Sequence, residues 1–408
     1  MPTSDRQREF ALEVARKLRS AGFQSLWAGG CVRDQLMGIT PKDYDVATNA
    51  TPNEVREVFG RRRTLPIGAS FGVITVLGRH EAGQLDVATF RTDASYTDGR
   101  HPDSVAFTTA EHDAQRRDFT INGLFFDPIA ETVIDYVDGQ QDLAAGIVRA
   151  IGDPSLRIAE DKLRMLRAVR FAAAFDFSIA DETFSAIRQM APQIHTVSAE
   201  RIGAELRRML LDPHRATALS LLRDTGLLAQ VLPEVNSLSS DSFSKLATEL
   251  GSLDSPSLPL ALATLLSRCE TNIADEVGRR LRYTNKENAR AEWLIVSKPR
   301  IAEAQHLPWP KLQRLLTHDG VQDLLAIHQA IAGPASPALA FCRERLAWPA
   351  ERLNPQPLLD GSALIRHGLS PGPHFSGILE CVRDAQLNGE INSLSEALAL
   401  ADRLRAND

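Results

Sequence analysis

A glycine pair followed closely by two aspartates is the feature that most constrains this 408-residue chain. The apolar residues around Trp27 predict a short strand, and Gly29 and Gly30 predict a tight turn after it. Residues 31–37 predict a helix whose first turn offers unpaired N–H groups to a phosphate, with Arg33 inside that turn. The pattern therefore predicts a phosphate-binding cradle between a strand and a helix.

Asp43 and Asp45 are two residues apart in a segment that predicts a strand. Successive strand side chains point to opposite faces, so both carboxylates would project from one face and Tyr44 and Val46 from the other. Neighbouring oxygen ligands are what Mg²⁺ prefers. An isolated Asp-x-Asp pair is commonly only a solvated surface feature, but the glycine turn upstream favours a metal site. Asp86, in a second strand-like segment, is the candidate third carboxylate for a site with two metal ions.

The rest of the chain divides into two kinds of region. Up to about residue 150, short strand-like runs such as 73–77 alternate with helical ones, which predicts a small mixed sheet with helices packed on it. After Ile151 the apolar residues recur almost wholly at helical spacing. The predicted fold class is an α/β head followed by an all-α remainder, and the length favours several domains.

Five blocks of sequence resemble, in order, the motifs of one protein family. The family is the class II tRNA nucleotidyltransferases, which build the 3′-terminal CCA of tRNA, together with their bacterial poly(A) polymerase relatives. The blocks cover roughly the first half of the chain, and residues 358–400 also resemble the family's tail. The five blocks are residues 29–34 with 43–45, 86–91, 116–123, 160–171 and 201–206.

The resemblance implies a domain organisation and a reaction. It implies template-independent addition of CCA to tRNA from CTP and ATP, with two Mg²⁺ ions and release of pyrophosphate. The helical parts after the head would read the base and hold the acceptor arm and elbow of the tRNA. The expected domains are a catalytic head (1–147), a neck that recognises the base (148–212), a body (213–345) and a tail (346–408).

The resemblance also assigns roles to single residues. Asp43, Asp45 and Asp86 would be catalytic and bind the metal ions. Asp161 would accept a hydrogen bond from the amine of C or A while Arg164 donates to ring acceptors, so G and U, with a carbonyl in place of that amine, would be rejected. The full set of expected nucleotide-binding residues is Gly29, Gly30, Arg33, Arg117, Asp118, Asp161, Arg164, Arg167 and Arg170.

The residues themselves leave another interpretation of the fourth block open. Apolar spacing over 153–171 predicts one helix, on which Asp161 and Arg164 lie one turn apart and could form an ordinary surface ion pair. Arg167 and Arg170 continue in steps of three, so the row winds around the helix and the residues cannot all touch one base. Their alternative role is to support neighbouring carboxylates.

The polar segment 92–115 predicts a mobile loop between the second and third blocks. In the family, a loop here is associated with the switch from C to A addition, and relatives that add only C have it shortened. Its length in this chain argues against an enzyme that adds only C. A plain connecting hairpin is the alternative.

The formal net charge of −6 is unexpected for a protein that binds RNA phosphates. Arginines can still line one face, and candidates cluster at 157–170, 201–208 and 279–282. The four cysteines lack metal-ligand or disulfide spacing. No apolar run approaches a membrane span and the first ten residues are polar, so we expect a cytoplasmic protein with no membrane partner.

Three other functions fit part of the sequence. A poly(A) or A-only polymerase would share every catalytic residue. A small-molecule nucleotidyltransferase would share the glycines and Asp43 with Asp45, but it would not need Asp161, Arg164 or so much helix. A non-catalytic RNA-binding protein is disfavoured by the intact carboxylates.

Some members of the resembled family carry a phosphohydrolase domain in the body, marked by a His-Asp pair. Ser267 and Arg268 stand in the matching segment here, and neither side chain can replace a metal-binding His or Asp. We therefore expect no hydrolase activity.

Overall fold

The structure, a computed structural model, describes residues 3–78, 83–93, 105–269, 273–370, 372 and 374–405. They form two compact units, Met1–Ser239 and Ser240–Asp408. The first unit contains every residue that the sequence assigns to catalysis or to nucleotide binding. The finer division into head, neck, body and tail stays a prediction.

A seven-stranded mixed sheet and two small two-stranded sheets lie in the first unit. In chain order the strands are β1 (Ser25–Ala28), β2 (Asp45–Thr48), β3 (Thr64–Gly68), β4 (Val73–Leu77), β5 (Gln84–Thr89), β6 (Arg91–Asp93), β7 (Val105–Phe107), β8 (Phe125–Asp127), β9 (Thr132–Ile134), β10 (Ile147–Val148) and β11 (Ser178–Ile179). The large sheet has the order β3-β4-β5-β2-β1-β8-β9. Its pairs are antiparallel except β2 with β5, which are parallel.

Helices pack on this sheet and then continue without strands through most of the unit. Helix α1 contacts β1, and α3 contacts β4. The helices are α1 (Thr3–Ser20), α2 (Gly30–Leu36), α3 (Pro52–Phe59), α4 (Ala110–Gln115), α5 (Gly139–Ala145), α6 (Pro154–Glu160), α7 (Leu163–Phe175), α8 (Asp181–Met190), α9 (Ala199–Leu211), α10 (Arg215–Asp224), α11 (Leu227–Val231) and α12 (Pro233–Asn236).

The core of the head follows from the alternation of side chains along its strands. On β1, Trp27 joins Phe10 of α1 in one apolar cluster. Its neighbour Leu26 belongs to a second cluster with Phe90 and Phe125. The sheet is therefore buried on both faces, which holds the ends of its strands rigidly.

The second unit is helical throughout its described residues. Its helices are α13 (Ser240–Gly251), α14 (Leu258–Leu265), α15 (Ile273–Arg280), α16 (Asn285–Ala302), α17 (Trp309–Leu316), α18 (Val321–Ala332), α19 (Pro337–Leu346), α20 (Ala350–Leu353), α21 (Gly361–Arg366), α22 (His374–Leu387) and α23 (Leu394–Arg405). Helix α16 contacts α14, α15 and α18, and a separate apolar cluster joins residues of α21, α22 and α23. The predicted fold class, an α/β head followed by helices, is confirmed.

Two structural details bear on the remaining sequence predictions. In the segment 92–115, β6 and β7 pair antiparallel and α4 follows, so the segment is not all loop. Residues 94–104 lie outside the described residues. Along the described parts of the chain, no helix is long and apolar enough to cross a membrane.

Gly139 provides a test of the packing in the head. A Cβ at Gly139 would lie 2.3 Å from the Thr120 carbonyl oxygen and 2.9 Å from Leu124 Cδ2. We expect Gly139→Ala to lower the free energy of unfolding by about 1–3 kcal/mol, because a buried backbone carbonyl has to move. Thermal unfolding followed by circular dichroism measures the effect.

Gly377→Ala is the matched control for this substitution. Gly377 lies inside α22, and a Cβ there would have no heavy atom within 4 Å. We expect the control to be neutral or stabilising by about 0.5–1 kcal/mol, since alanine favours the helix. Equal effects of the two substitutions would contradict the tight contact at Gly139.

Candidate active site

One cleft of ≈ 780 Å³ collects the residues expected to bind the nucleotide. Its volume is typical of small-molecule sites. Asp86 lines a neighbouring cavity of ≈ 300 Å³, to which Asp43 and Asp45 also contribute. Among the described residues, the larger cleft is lined by Gly29, Gly30, Arg33, Asp43, Asp45, Arg91, Arg116, Arg117, Asp118, Asn122, Asp161, Arg164, Arg167, Arg170, Phe171 and Arg208.

The glycine pair joins β1 to α2 as the sequence predicts. Gly29 has φ +72°, a conformation that glycine adopts without strain. A Cβ at this position would lie 2.8 Å from Nη1 of Arg117. Burial raises the pKa of the Cys31 thiol in the same turn to about 11. This thiol is therefore protonated at neutral pH and unsuited to act as a nucleophile.

Arg33 is less accessible than its expected role as a phosphate ligand implies. It is 7% exposed, and its Nη1 donates to Oδ1 of Asn122 at 2.6 Å. Its Nε donates to Asp34 Oδ1 at 2.9 Å, and the guanidinium lies over the rings of Phe171 and Phe175. Arg33 reaches the cleft from a fixed position within this set of contacts.

The two aspartates of the first block lie at the start of β2. Asp43 precedes the strand, which begins at Asp45, so the prediction that both lie within it is wrong. The alternation nevertheless holds, because Tyr44 and Val46 are buried while Asp43 and Asp45 are exposed to the cleft. Both carboxylates are thus available to a ligand.

The parallel pairing of β2 with β5 sets Asp45 beside Asp86. Asp86 Oδ1 accepts a hydrogen bond from Thr75 Oγ1 at 2.6 Å. Within the described residues, no group of three or more His, Cys, Asp or Glu side chains is arranged to hold a metal ion. Carboxylate oxygens from adjacent strands are the donors that Mg²⁺ prefers, so the chemistry fits even though the three side chains do not converge.

The pKa of Asp45 is raised even though its side chain is exposed to the cleft. Removal of water by the atoms around the cleft is the main cause, and the charges of Asp86 and Asp43 add to it. Arg117 acts in the opposite direction. The ionised Asp45 is therefore held in surroundings that favour a cation beside it.

A break between two helices places Asp161, where the sequence predicts one continuous helix. Helix α6 ends at Glu160 and α7 begins at Leu163, with Asp161 in an extended conformation between them. Asp161 Oδ1 accepts from the Leu163 N–H at 3.1 Å, and its carbonyl accepts from the Arg164 N–H at 3.0 Å. Aspartate side chains compete for backbone N–H groups in this way, which explains the break.

Among the described residues, the side chains of Asp161 and Arg164 bond to other partners rather than to each other. Asp161 Oδ2 accepts from Arg201 at 2.7 Å. Arg164 donates to the Arg157 carbonyl at 2.6 Å and pairs with Glu160. The surface ion pair that the spacing allows is therefore not formed, and both side chains line the cleft.

Arg167 and Arg170 are each held by a buried carboxylate. Arg167 Nε donates to Asp118 Oδ2 at 2.8 Å, and Arg170 Nε donates to Glu205 Oε2 at 2.6 Å. Asp118 and Glu205 are 9% and 1% exposed. The two arginines thus support carboxylates, as the alternative interpretation predicts, and they line the cleft as well.

Sequence reasoning missed five residues that line this cleft: Arg91, Arg116, Asn122, Phe171 and Arg208. The first four lie within the quoted blocks, so the signal was available. Arg208 follows the fifth block by two residues, and its Nη1 donates to Glu205 Oε1 at 2.5 Å. The sequence indicates Arg208 only as part of the arginine cluster at 201–208, and its spacing from Glu205 on a helix is the signal for the ion pair.

The sequence matches two known protein families. Residues 26–149 match the poly A polymerase head domain, and residues 176–238 match a probable RNA and SrmB-binding site of polymerase A. Over 98% of this chain and 96% of its relative, it is 32% identical to a CCA-adding enzyme of Leuconostoc mesenteroides subsp. mesenteroides. This chain belongs to the CCA-adding enzyme family.

Two further relatives of this family agree. A CCA-adding enzyme of Geobacillus kaustophilus is 41% identical over 222 residues, which is 54% of each chain, so the match spans about half the length of that relative. The crystal structure of the Bacillus stearothermophilus CCA-adding enzyme in complex with CTP matches with a TM-score of 0.81 and 28% identity, over 100% of this chain and 99% of that one. The family resemblance inferred from the five blocks is confirmed.

Substitution of Gly29 tests how closely the cradle approaches Arg117. Gly29→Ala would add backbone strain of about 1–3 kcal/mol and push the Arg117 side chain away. We expect weaker binding of nucleoside triphosphates, measured by calorimetry with CTP. Gly38→Ala is the matched control, since Gly38 has φ +71° but a Cβ there would have no heavy atom within 4 Å. Equal loss of CTP affinity in both variants would contradict the role of this contact.

The raised pKa of Asp45 predicts a gain in stability when its charge is removed. Because the folded-state pKa lies above the unfolded one, ionised Asp45 destabilises the fold above the unfolded-state pKa of about 3.9. Asp45→Asn should therefore raise the thermal midpoint without metal at neutral pH, and the difference should shrink as the pH falls towards that value. Added Mg²⁺ should stabilise the wild type more than the variant. A lower midpoint for Asp45→Asn at neutral pH would contradict this electrostatic argument.

Proposed function

We propose that this protein adds CCA to the 3′ end of tRNA from CTP and ATP, without a nucleic-acid template and with release of pyrophosphate. One observation carries the proposal: the Asp43 and Asp45 carboxylates share a single cleft with Asp161 and Arg164. Chemistry at the α-phosphate and reading of the base need groups at opposite ends of one nucleotide. The family membership of the chain supports the same reaction.

The arginines of the cleft give it a local positive charge despite the net charge of −6. In our proposal they hold the triphosphate, with Gly29 and Gly30 allowing its close approach. Asp43, Asp45 and Asp86 would hold two Mg²⁺ ions. When bound, such ions activate the primer hydroxyl and neutralise charge on the phosphates.

The reaction proceeds by direct displacement in this proposal. The 3′ hydroxyl of the tRNA loses its proton to solvent as its oxygen forms a bond to the α-phosphorus, the bond to the bridging oxygen breaks, and pyrophosphate leaves with the electron pair. No covalent enzyme intermediate is needed. The protonated Cys31 thiol next to the glycine turn is consistent with such a route.

Asp161 and Arg164 would select the base. Each carboxylate oxygen can accept about two hydrogen bonds, and each Asp161 oxygen has one donor among the described residues, so capacity remains for the amine of C or A. Glu160, the Arg157 carbonyl and Arg201 fix the two side chains before a base arrives. Fixed groups discriminate well because little ordering is left to be done on binding.

The remaining helices would bind tRNA, with the acceptor arm and the elbow as the expected contacts. The match of residues 176–238 to an RNA-binding family supports this part of the proposal. A switch from C to A addition through the segment 92–115 stays a prediction, because residues 94–104 lie outside the described residues. The cytoplasm as the place of the reaction is likewise a prediction.

One assay tests the proposed function. Purified protein is given Mg²⁺, a tRNA ending before CCA or a tRNA ending after CC, and each nucleoside triphosphate separately. We expect C to be added to the first tRNA and A to the second. A protein inert towards CTP but active with ATP would be an A-adding or poly(A) polymerase, and tRNA binding without transfer would indicate a non-catalytic RNA-binding protein.

Replacing Asp161 tests base selection separately from chemistry. We expect Asp161→Ala to incorporate GTP and UTP, with a loss of selectivity of up to about 10⁴, because buried polar groups no longer reject the wrong base. Transfer itself should persist, since Asp43 and Asp45 are unchanged. Single-turnover rates with each nucleotide measure the effect.

Asp181→Ala is the control for this experiment, because Asp181 is an exposed aspartate at the start of α8. Its selectivity should equal that of the wild type. A uniform drop in rate in Asp161→Ala, without misincorporation, would indicate that Asp161 only supports the local fold.

A further inference from the structure

Asn122 joins three of the arginines expected to bind the triphosphate. It follows Asp118 by four residues and is 7% exposed at the edge of the cleft. Its Oδ1 accepts from Arg33 Nη1 at 2.6 Å, and its backbone carbonyl accepts from Arg117 Nη1 at 3.3 Å. Its side-chain nitrogen donates to Asp118 Oδ1 at 3.0 Å, and Asp118 holds Arg167.

These contacts come from three separate parts of the first unit. Arg33 lies on α2, Arg117 follows α4, and Arg167 lies on α7. Asn122 therefore connects the glycine cradle of the head to the helix that follows the Asp161 break. The connection is built from side chains that are largely buried, so water screens it little.

The chemistry of the junction requires an amide. One end of the side chain must accept from a cation, and the other must donate to a carboxylate. An aspartate accepts at both ends when ionised and a leucine does neither, whereas asparagine has one group of each kind at the right length. The two partners therefore define which way the amide of Asn122 points.

Asp118, which accepts the hydrogen bond from the Asn122 amide, is held in its ionised form. Burial alone would raise the pKa of Asp118, but the Arg167 guanidinium, the Asn122 amide and the Phe119 N–H outweigh burial and hold this pKa below its usual range. A charged side chain at position 122 would therefore face the full negative charge of Asp118. The junction tolerates a neutral donor or a cation at this point, but not a second carboxylate.

We propose that Asn122 is a positioning residue that fixes the spacing of Arg33, Arg117 and Arg167 and thereby sets the affinity of the cleft for nucleoside triphosphates. This inference rests on the proposed function, since it assigns those arginines to the triphosphate. Asn122 acts through the arginines and has no part in reading the base. Its loss should therefore weaken binding of CTP and ATP alike while leaving base selection unchanged.

The test compares Asn122→Asp with the wild type in direct binding of CTP by calorimetry, at neutral and at mildly acidic pH. At neutral pH the new carboxylate faces Asp118 and repels it, and we expect CTP affinity to fall about tenfold or more, the usual scale of a lost hydrogen bond to a charged group. At acidic pH the pair shares one proton, because two adjacent carboxylates raise the pKa of one of them. The shared proton restores a donor, so the ratio of variant to wild-type affinity should recover.

Other charged groups around the junction are the same in both proteins. They are Arg33 and Asp34 on α2, Asp113 on α4 with Arg116 and Arg117 after it, and Arg167 on α7. They are present in both proteins, so the ratio of the two affinities reports the change at position 122. Asn53→Asp, at an exposed position in the first turn of α3, controls for the added charge and should bind CTP like the wild type.

Asn122→Ala completes the set, because it removes both side-chain hydrogen bonds, with Arg33 and Asp118, without adding a charge and leaves the backbone contact to Arg117 in place. We expect weaker CTP binding that does not recover at acidic pH. This variant also decides the matter if Asn122→Asp does not fold. Wild-type affinity in Asn122→Ala, or a loss in Asn122→Asp that is the same at both pH values, would overturn the inference.

The CTP-binding experiment and the tRNA assay can give opposite results, so they test the two proposals separately. The tRNA assay with the wild type decides whether C and A are added at all, whereas the binding experiment needs no transfer. A wild type that adds CCA and binds CTP independently of Asn122 would overturn only the positioning role. A wild type that binds CTP through Asn122 but adds no C would overturn only the proposed reaction.

Discussion

Pairing between arginines and buried carboxylates is the interaction on which this cleft depends. Arginines crowded into one concave surface would repel each other and the fold would lose stability. Asp113, Asp118 and Glu205 lie beneath them and bond to five of them, namely Arg116, Arg117, Arg167, Arg170 and Arg208. A buried carboxylate is itself costly unless it is paired, so each kind of group makes the other tolerable.

The same pairing explains how a chain of net negative charge can present a cationic site. Not all of the acidic residues lie away from the cleft. Three of them lie beneath its arginines and orient them. Each of these carboxylates fixes the direction of at least one guanidinium. The shape of the positive surface is therefore encoded by acidic residues.

Much of the head was predictable from local patterns. The glycine turn, the strand around Trp27, the strand at 73–77 and the alternation around Tyr44 depend on residues close in sequence, and the structure confirms them. The nucleotide-binding residues expected from the family motifs all line the cleft. Local patterns do not predict which distant residue bonds to each cleft residue. Asp118 contacts Arg167, and Asp161 contacts Arg201, only because the tertiary fold brings them together.

The error over the helix at residue 161 has a physical cause. Apolar spacing continues smoothly through residue 161, so periodicity alone predicts an unbroken helix. The break depends on the Asp161 carboxylate taking the Leu163 N–H, a local competition that the apolar pattern does not record. The metal site predicted at Asp43, Asp45 and Asp86 stays a prediction: Asp45 and Asp86 are paired on β2 and β5 and Asp43 precedes β2, and the described residues hold no preformed cluster of metal-binding side chains.

The parallel pairing of β2 with β5 has a consequence for how this family can vary in length. Strand side chains alternate with a period of two, so a shift of β5 by one residue would turn Asp86 to the opposite face of the sheet and Thr75 would lose its partner. A single-residue insertion or deletion within β5 therefore has to be absorbed by a β-bulge to keep Asp86 on its face, as the register shift between β3 and β4 shows this sheet can do. The antiparallel pairs from Val73 with Ala88 to Leu77 with Gln84 fix the same register from the other side of β5.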